Sequence, residues 1–502
     1  MEAAPLRFVQ ARGHEDPLTL LGELGQSRYL VWYLADLGAK SAVVEPNYFD
    51  RDYLSEFAAF YCTSSAGYSN CCERAHYFAT DVDRELLERA AGGDSAAYGL
   101  LQDSYLGFVV KRPIPGTPLG RTVLRWYVDD TPQLPRVVDP SRDYAVHLAG
   151  IELNVRGLAW QQQDAGVGAC ATVALWSMLH SSAFDDRHVV PTTAEVTQTA
   201  HRAGLSAQPL YPSRGLSFGQ LIASVRDSGF APLVVAGEQE HSRFKREHFC
   251  PSLASFIRSG YPVLVAGDLE GGNGLHAVCA VGFRQAASLD VAAGNVELED
   301  TRTEYLYLHD DNLGPAARFR VEVDPGSEQV FLKTAPPAKR HSLELVDPTE
   351  GYPRFIPTAL LAAAHNDVRI TPDRLHSLAL NLGTMIVSAT GNAIGLTASS
   401  RIARLSNYLG QELSRVFSGN SALLARTRLA LVETVAPMSL HLGVVRIGTG
   451  HAPLLDVLYD TTDSVPNMRA FCYVAYHPNM AHVVQQLIAF KLVSLGVEVA
   501  GF

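Results

Sequence analysis

The sequence predicts an α+β fold, because helical and strand patterns occupy separate stretches of the chain instead of alternating. In the middle of the chain, helical patterns come first and apolar strand patterns follow. The composition indicates a folded core, since 47% of the 502 residues are hydrophobic and 19% are charged. This length exceeds one ordinary hydrophobic core, so we expect about three domains.

The first segment, residues 1–130, is predicted to be an α+β domain of unknown role. Residues 81–91 follow a helical period, and residues 105–110 form an apolar strand. The run Arg112-Pro113-Ile114-Pro115-Gly116 then forces a turn. Residues 129–135, rich in proline and polar side chains, indicate a linker.

Residues 142–333 are predicted to form the second domain. Helical patterns begin at Cys170 and cover residues 193–203, 217–228 and 252–259. Apolar strands follow at residues 262–266, 276–283 and 305–309. Between the last two strands, residues 286–303 are predicted to insert a polar hairpin.

The third segment, residues 342–502, begins after the prolines Pro336-Pro337 and is predicted to be an α+β domain of unknown role. Helical patterns continue to residue 417, and residues 399–417 form the clearest amphipathic helix. Strand patterns at 440–447, 454–459 and 470–476 precede a last helix over 480–494. Residues 378–396 come nearest to a membrane span, but polar side chains interrupt them, so we expect a buried helix or helix pair and no membrane partner.

Charge and cysteine content narrow the function classes. The formal net charge of −11 argues against a general nucleic-acid binder. Seven cysteines, an odd number without a paired framework, fit a reducing cytosol without disulfides. The first residues lack the basic and apolar regions of a secretory signal, so a cytoplasmic location is expected.

Neither a metal nor a cofactor is predicted. The adjacent Cys71 and Cys72 lack the spacing of paired zinc ligands. The run Glu270-Gly271-Gly272-Asn273-Gly274 follows a strand, but it opens no helix and lacks the lysine of a phosphate-binding loop.

One run near the middle of the chain has the pattern of a thiol nucleophile. Three glutamines, Gln161, Gln162 and Gln163, lead through a glycine-broken stretch to Cys170 and an apolar helix. A helix N-terminus offers unpaired N–H groups and the positive end of the helix dipole, which bias a cysteine there towards the thiolate.

A histidine and acidic residues follow in the order that such a nucleophile needs. His276 opens a strand as Gly274-Leu275-His276-Ala277-Val278, and the next strand ends in Asp310-Asp311-Asn312. An imidazole can take the thiol proton, and a carboxylate or amide beside it can fix its tautomer. Each of these residues alone has an ordinary structural interpretation, as a buried thiol, a core histidine or a turn former; their combination favours a catalytic site.

These residues resemble the papain-like cysteine peptidase superfamily, most closely its bacterial branch related to the bacteriocin-processing peptidases. The resemblance covers about residues 145–330. It implies a papain-like core, a helical half plus an antiparallel sheet. The predicted mixed N-terminal and C-terminal domains flank this core. The resemblance also implies Gln163 as oxyanion donor, Cys170 as nucleophile, His276 as base and Asp310 as orienter. Gln161 and Gln162 compete for the first role, and Asp311 and Asn312 for the last.

The expected function is that of a cysteine hydrolase acting on a peptide or isopeptide bond through a thioester. Its substrate would be a protein or peptide, and the flanking domains could bind a protein partner. Papain-like sites also support acyl transfer and deamidation through the same thioester, so these stay open as alternatives. A catalytically inactive binding scaffold is the alternative from another class.

Overall fold

The computed structural model describes residues 4–11, 16–22, 25–127, 136–181, 189–202, 209–238, 240–271, 274–284, 287, 290–335, 349–435, 438–462 and 469–502. The predicted linker at 129–135 and the prolines Pro336-Pro337 lie outside these ranges. So do residues 272–273 of the glycine-rich run and parts of the predicted hairpin at 286–303.

The N-terminal part of the chain forms a mixed layer of helices and an antiparallel sheet. Its elements are β1 (Arg7–Gln10), α1 (Gln26–Asp36), β2 (Ser41–Tyr48), α2 (Arg51–Ala59), β3 (Cys72–Phe78), α3 (Arg84–Ala91), α4 (Ser95–Ser104), β4 (Tyr105–Lys111) and β5 (Leu119–Leu124). The strands pair in chain order from β1 to β5. Asp50, Asp83 and Asp94 start α2, α3 and α4, because each carboxylate accepts N–H groups of the first turn. The predicted strand at 105–110 is confirmed as β4.

The central part contains helices followed by an antiparallel sheet. Its elements are β6 (Arg136–Val137), β7 (Arg142–Leu148), β8 (Ile151–Gly157), α5 (Cys170–Leu179), α6 (Thr193–Arg202), α7 (Phe218–Asp227), β9 (Ala231–Ala236), α8 (Arg246–Arg258), β10 (Val263–Leu269), β11 (Leu275–Arg284), β12 (Val296–Leu298), β13 (Tyr305–Asp310), β14 (Gly314–Val323), β15 (Val330–Thr334) and β16 (Phe355–Ala364). The sheet runs β10-β11-β13-β14-β15-β16-β9, and β10 also pairs with β16. The predicted helix at Cys170 and the predicted strands near 276–283 and 305–309 are confirmed.

Two strands lie in other sheets than their sequence positions suggest. The strand β16 pairs with β10 and β9, so the central sheet continues beyond residue 333, where the second domain was expected to end. The strand β12 pairs with a strand of the C-terminal sheet, so this part of the expected hairpin at 286–303 joins a different sheet. The division into three domains stays a prediction. Both the central and the C-terminal sheet contain strands from each side of its second boundary, at residues 333–342.

The C-terminal part is also mixed. Its elements are α9 (Pro372–Ala389), β17 (Leu396–Arg404), α10 (Leu405–Asn407), a π-helical turn (Tyr408–Glu412), α11 (Leu413–Val416), α12 (Ser421–Thr434), β18 (His441–Thr449), β19 (Ala452–Asp460), β20 (Ala470–Ala475), α13 (Pro478–Ala489) and β21 (Val497–Ala500). The sheet order is β12-β17-β18-β19-β20-β21. The strands β18, β19 and β20 and the helix α13 confirm the predicted elements.

The amphipathic helix expected at 399–417 is wrong in its first part. Residues 396–403 are buried in β17, which lies between β12 and β18. A strand buried on both faces shows no alternation of polar and apolar residues, so periodicity does not separate it from a buried helix. Among the described residues, no helix combines the length and the apolar character needed to cross a bilayer.

One large apolar core connects the three parts of the chain and fixes the helix α5 in its centre. The residues of α5 from Ala171 to Leu179 are all buried, and the helix packs against β11. Trp160, before this helix, and Tyr29 of α1 belong to the same core. The start of α5 and the start of β11 are therefore held side by side by packing.

Candidate active site

Cys170 is the first residue of α5. The preceding Ala169 has extended backbone angles (φ −67°, ψ 164°), and no side chain caps the helix. The first N–H groups of the helix are thus left without a side-chain acceptor, which is the condition for binding an anionic oxygen there. Cys170 is partly exposed, whereas the residues that follow it in the helix are buried.

The loop before Cys170 is folded around one buried carboxylate. Oδ1 of Asp164 accepts the N–H groups of Gly166 and Val167 at 2.6 Å each, and Oδ2 accepts the N–H of Gly168 at 3.2 Å. A Cβ atom on Gly166 would lie 2.6 Å from the ring of Phe60, so this position has room only for glycine. Asp164 therefore determines the path by which the chain enters the helix.

His276 and Asp310 lie together at the ends of neighbouring strands. Nε2 of His276 lies 3.3 Å from Oδ1 of Asp310, and both side chains are almost fully buried. Nδ1 is then the ring nitrogen left to serve the thiol, and Cys170 and His276 line the same cleft. The structure thus brings together three of the four predicted site residues, the thiol, the imidazole and the carboxylate.

The electrostatics of the pair favour the charged forms of both groups. Burial lowers the pKa of His276, but the charge of the Asp310 carboxylate, its hydrogen bond to the ring and the nearby thiol of Cys170 raise this pKa well above its usual value. Burial also opposes ionisation of Asp310, yet His276, Tyr352 and the N–H of Asn312 hold its pKa below the usual value. The arrangement stabilises an imidazolium next to the thiol.

The ring of His276 is packed where the strands β10, β11 and β16 lie side by side. Gly267 of β10 lies opposite His276 of β11, and Phe355 of β16 packs edge-on against the imidazole at 5.9 Å between ring centres. A Cβ atom on Gly267 would lie 2.3 Å from the carbonyl oxygen of Ile356. Only glycine allows β10 and β16 to approach this closely beside the histidine.

Asp310 is held by two side chains that the sequence did not indicate. The hydroxyl of Tyr352 donates to Oδ2 of Asp310 at 2.7 Å, and the indole N–H of Trp160 donates to its carbonyl oxygen at 3.0 Å. The N–H of Asn312 donates to Oδ1 at 2.8 Å. Trp160 lies in the run that leads to Cys170, but neither its position nor that of Tyr352 belongs to a recognisable motif.

The histidine beside Asp310 has a structural role. Nε2 of His309 bonds to the carbonyl oxygen of Leu158 at 3.0 Å, and Nδ1 accepts the N–H of Ala316 at 2.9 Å. Burial lowers the pKa of His309 to about 4, which keeps the ring neutral and fixes its tautomer. His309 thereby connects the end of β13 to the segment that leads to Trp160.

Contacts and distances distinguish the three residues that were candidates for orienting the ring of His276. Asp311 is buried, and its Oδ1 lies 3.9 Å from Nε2 of His276, beyond hydrogen-bond length. Burial raises the pKa of Asp311 to about 7. The side-chain oxygen of Asn312 accepts a hydrogen bond from Gln163 at 2.7 Å. Asp310 is thus the residue positioned to hold the ring.

The three glutamines have different partners. Nε2 of Gln161 donates to Glu56 at 3.0 Å, and Nε2 of Gln162 donates to Gln26 at 2.7 Å; both glutamines are buried. Gln163 is partly exposed and bonds to Asn312 at the end of the strand that carries Asp310. Within the described ranges, none of the three lines the cleft at Cys170. Gln163 is the one whose amide bonds directly to a candidate orienter, Asn312.

The N-terminal part of the chain contacts this loop through a buried ion cluster. Nη1 of Arg112 lies 2.9 Å from Oε2 of Glu56 and 3.4 Å from Oδ2 of Asp164, and Nη2 donates to the carbonyl oxygen of Gln162 at 2.9 Å. Gln26 adds a second link, because its Nε2 donates to the carbonyl oxygen of Asp311 at 2.9 Å. Arg112, Glu56 and Gln26, which we expected to belong to a separate flanking domain, thus contact both the loop before Cys170 and the end of β13.

A cleft of about 1030 Å³ opens over Cys170 and His276. The sheet part of its lining comes from β9, β10, β11 and β16, and the rest comes from the start of α5, α6, the 214–218 segment, the start of α7 and residues 241–242. The imidazole and the thiol therefore face a space large enough for a peptide segment.

His276, Asp310 and Asp311 also form a group whose ligand atoms lie within 4.8 Å of one another, as a metal site requires. Nε2 of His276 and Oδ1 of Asp310 face each other, however, and Tyr352 bonds to the other oxygen of Asp310. The ring nitrogen of His276 and the two oxygens of Asp310 are thus engaged with partners within the protein.

Comparison with known proteins adds no assignment to this geometry. No protein-family model matches the chain, and no curated protein matches its sequence.

Proposed function

We propose that the chain is a cysteine-dependent hydrolase of peptide or isopeptide bonds, with a papain-like core. The proposal depends on one arrangement: Cys170 begins a buried helix and lines the same cleft as His276, and His276 faces Asp310 at 3.3 Å. Nucleophile, base and orienter are the parts that acyl transfer to a thiol needs. The mixed fold, with helices before the sheet and the cleft between them, is compatible with the papain-like resemblance.

In the first step, Cys170 gives its proton to His276 and the sulfur attacks the carbonyl carbon of the substrate. A C–S bond forms, and the carbonyl oxygen takes the electron pair as an oxyanion. The N–H of Cys170 and the amide of Gln163 are the proposed donors to this oxygen, each of a kind worth about 3–4 kcal/mol when removed. Gln163 would turn from Asn312 to do so, as side chains of unliganded sites often do.

In the second step, the C–N bond breaks and His276 gives its proton to the leaving amine, which leaves a thioester on Cys170. His276 then takes a proton from water, and the resulting oxygen nucleophile attacks the thioester. The C–S bond breaks, the thiolate takes back the proton from His276, and the carboxylic acid leaves. Asp310 holds the ring in one orientation throughout.

The cysteines provide the first test. All seven have free thiols in the structure, which suits a reducing compartment such as the proposed cytoplasm. Only Cys62, Cys71 and Cys170 are not buried. Iodoacetamide or an electrophilic peptide should label Cys170 faster than Cys62, and the His276→Ala substitution should remove this difference, because the thiolate of Cys170 depends on the imidazole. Equal rates for Cys62 and Cys170 would favour the inactive scaffold.

Turnover provides the second test. Proteins incubated with the wild type should gain new N-termini or lose isopeptide links, which mass spectrometry can measure. The nearly isosteric Cys170→Ser variant should cause neither change. Products joined to an added amine, without hydrolysis, would reassign the same thioester to acyl transfer. Unchanged turnover in Cys170→Ser would remove Cys170 from the mechanism.

A further inference from the structure

The two walls of the cleft differ in the side chains that they offer. The sheet wall is built mainly of small residues, which are Ala236, Ala266, Gly267, Ala277 and Ala359. The lining from the 214–218 segment and α7 carries larger apolar side chains, Leu216, Phe218 and Leu221, and Leu275 at the start of β11 is 82% exposed. An extended peptide thus has room along the sheet and apolar surface on both sides.

The charges in the cleft are opposite in sign to the charge of the whole chain. Among the described lining residues, Asp268 is the one acid, and it is neutralised by Arg243 at 2.7 Å. Arg214 also lines the cleft, is exposed, and forms no ion pair with any described residue. A chain with a formal net charge of −11 therefore presents an unpaired cation in its cleft.

Other polar side chains line the cleft beside Arg214. Ser217 and Gln220 bond to each other's side chain and backbone in a capping box at the start of α7. His241 lies 3.8 Å from Glu240. Nε2 of His201 is buried without a hydrogen-bond partner among the described residues. Arg214 is thus the one arginine or lysine among the described lining residues, and its exposed guanidinium can bind an anion.

We propose that Arg214 selects a substrate segment that carries a carboxylate next to an apolar side chain. The inference rests on the proposed hydrolase function, since it places this segment in the cleft that contains Cys170 and His276. The guanidinium pairs with the carboxylate, and Leu216 and Leu275 contact the apolar side chain. A guanidinium suits this role because its planar fork matches the two oxygens of a carboxylate.

Paired peptides test this proposal. Fluorogenic peptides that carry Glu or the isosteric Gln at successive positions around the scissile bond are compared by kcat/KM. At one position the wild type should prefer Glu, by roughly three- to tenfold. Arg214→Gln should abolish the preference, and Arg214→Glu should invert it. Arg226→Gln is the matched control, because Arg226 is an exposed arginine of α7 that does not line the cleft. The preference should also weaken at high salt.

Binding separates this inference from the proposed function. The same peptides are added to Cys170→Ser protein and followed by fluorescence anisotropy. A preference for Glu that Arg214→Gln removes supports the inference, even if no peptide is cleaved and the hydrolase proposal fails. Turnover or binding without any preference between Glu and Gln, or no binding of any peptide, overturns the role of Arg214.

Discussion

Tyr352 and His276 bind opposite oxygens of the Asp310 carboxylate. The tyrosine hydroxyl donates to Oδ2 at 2.7 Å, and Nε2 of the histidine faces Oδ1 at 3.3 Å. Since each oxygen is held by a different element, the carboxylate cannot rotate without breaking a hydrogen bond. The orientation of His276 therefore depends on a tyrosine that does not itself reach the cleft lining.

We expect Tyr352→Phe to lower kcat/KM roughly tenfold, because a hydrogen bond to a charged group is worth about 1.5–3 kcal/mol. The hydrogen bond from Tyr352 lowers the pKa of Asp310, so its loss raises that pKa and moves the acid limb of the pH–rate profile to higher pH. Steady-state kinetics across the pH range measures both effects.

The C-terminal sheet offers a matched control. The hydroxyl of Tyr476 donates to Oδ2 of the buried Asp456 at 2.7 Å, the same bond in a different part of the molecule. Tyr476→Phe should lower the melting temperature and leave kcat/KM unchanged. Equal losses of activity in the two variants would show that Tyr352 acts only through stability.

Substitutions at the two adjacent acids should separate their roles. Asp310→Ala removes the group that faces Nε2, and we expect a loss in kcat/KM of about 100-fold, whereas Asp310→Asn keeps an acceptor oxygen and should lose less. In both variants the negative charge that raises the pKa of His276 is gone, so the alkaline limb should move to lower pH. Asp311→Asn should retain most of the activity, because 3.9 Å is too long for a hydrogen bond to the ring. A greater loss from Asp311→Asn than from Asp310→Ala would exchange the two assignments.

Asp311 should instead contribute to the pH dependence of stability. An aspartate of the unfolded chain ionises near pH 4, whereas burial raises the pKa of Asp311 in the folded state to about 7. Between these values the folded state binds more protons, so stability falls as the pH rises. Relative to Asp311→Asn, the wild type should lose on the order of 2 kcal/mol between about pH 4.5 and 6.5.

In this pH range, the difference in stability between wild type and Asp311→Asn reports on Asp311 alone. The pKa of His276 is raised in the folded state, so its contribution to stability is fully present below the unfolded value near 6.5 and disappears only at higher pH. Burial also raises the pKa of Asp52 to about 7, but this group is present in both proteins and cancels in the comparison. Urea unfolding at the two pH values measures the difference. Parallel curves for wild type and Asp311→Asn would mean that Asp311 is ionised in the folded state.

The site residues that could be predicted from the sequence are those whose neighbours in the chain form a recognisable pattern. Cys170 begins an apolar helix after a glycine-broken loop, and His276 and Asp310 lie at the ends of apolar strands, so each position follows from its neighbours in the chain. Packing of α5 against β11 then brings them together. Whether they form a catalytic site stays a prediction that the experiments above test.

The supporting residues have no such signal. Arg112 follows β4 and Tyr352 precedes β16, so they reach the site from distant parts of the chain. A single tyrosine or arginine in a loop does not indicate its partner. The strand β17 was missed for a related reason, since burial on both faces removes the alternation that identifies a strand. Hydrogen bonds and burial between distant segments are properties of the tertiary structure, and local patterns do not contain them.

The buried cluster of Arg112, Glu56 and Asp164 provides the last prediction. All three side chains are at most 1% exposed, and Arg112 is the cation between the two carboxylates. Arg112→Met leaves two buried acids unpaired, which should cost about 3–5 kcal/mol in the free energy of unfolding. Because Asp164 also holds the N–H groups before Cys170, the rate at which iodoacetamide labels Cys170 relative to Cys62 should fall as well.

Two further variants make this prediction specific. Arg89→Met removes the exposed pair with Asp94 and should leave the melting temperature nearly unchanged, since exposed ion pairs contribute little. Adding Glu56→Gln to Arg112→Met removes one of the unpaired charges, so the double variant should be more stable than Arg112→Met alone, by chemical denaturation. If it recovers part of the stability together with part of the Cys170 labelling, the cluster acts on the site through Asp164. If the double variant recovers stability but Arg112→Met does not change the labelling of Cys170, Arg112 stabilises the fold without acting on the site.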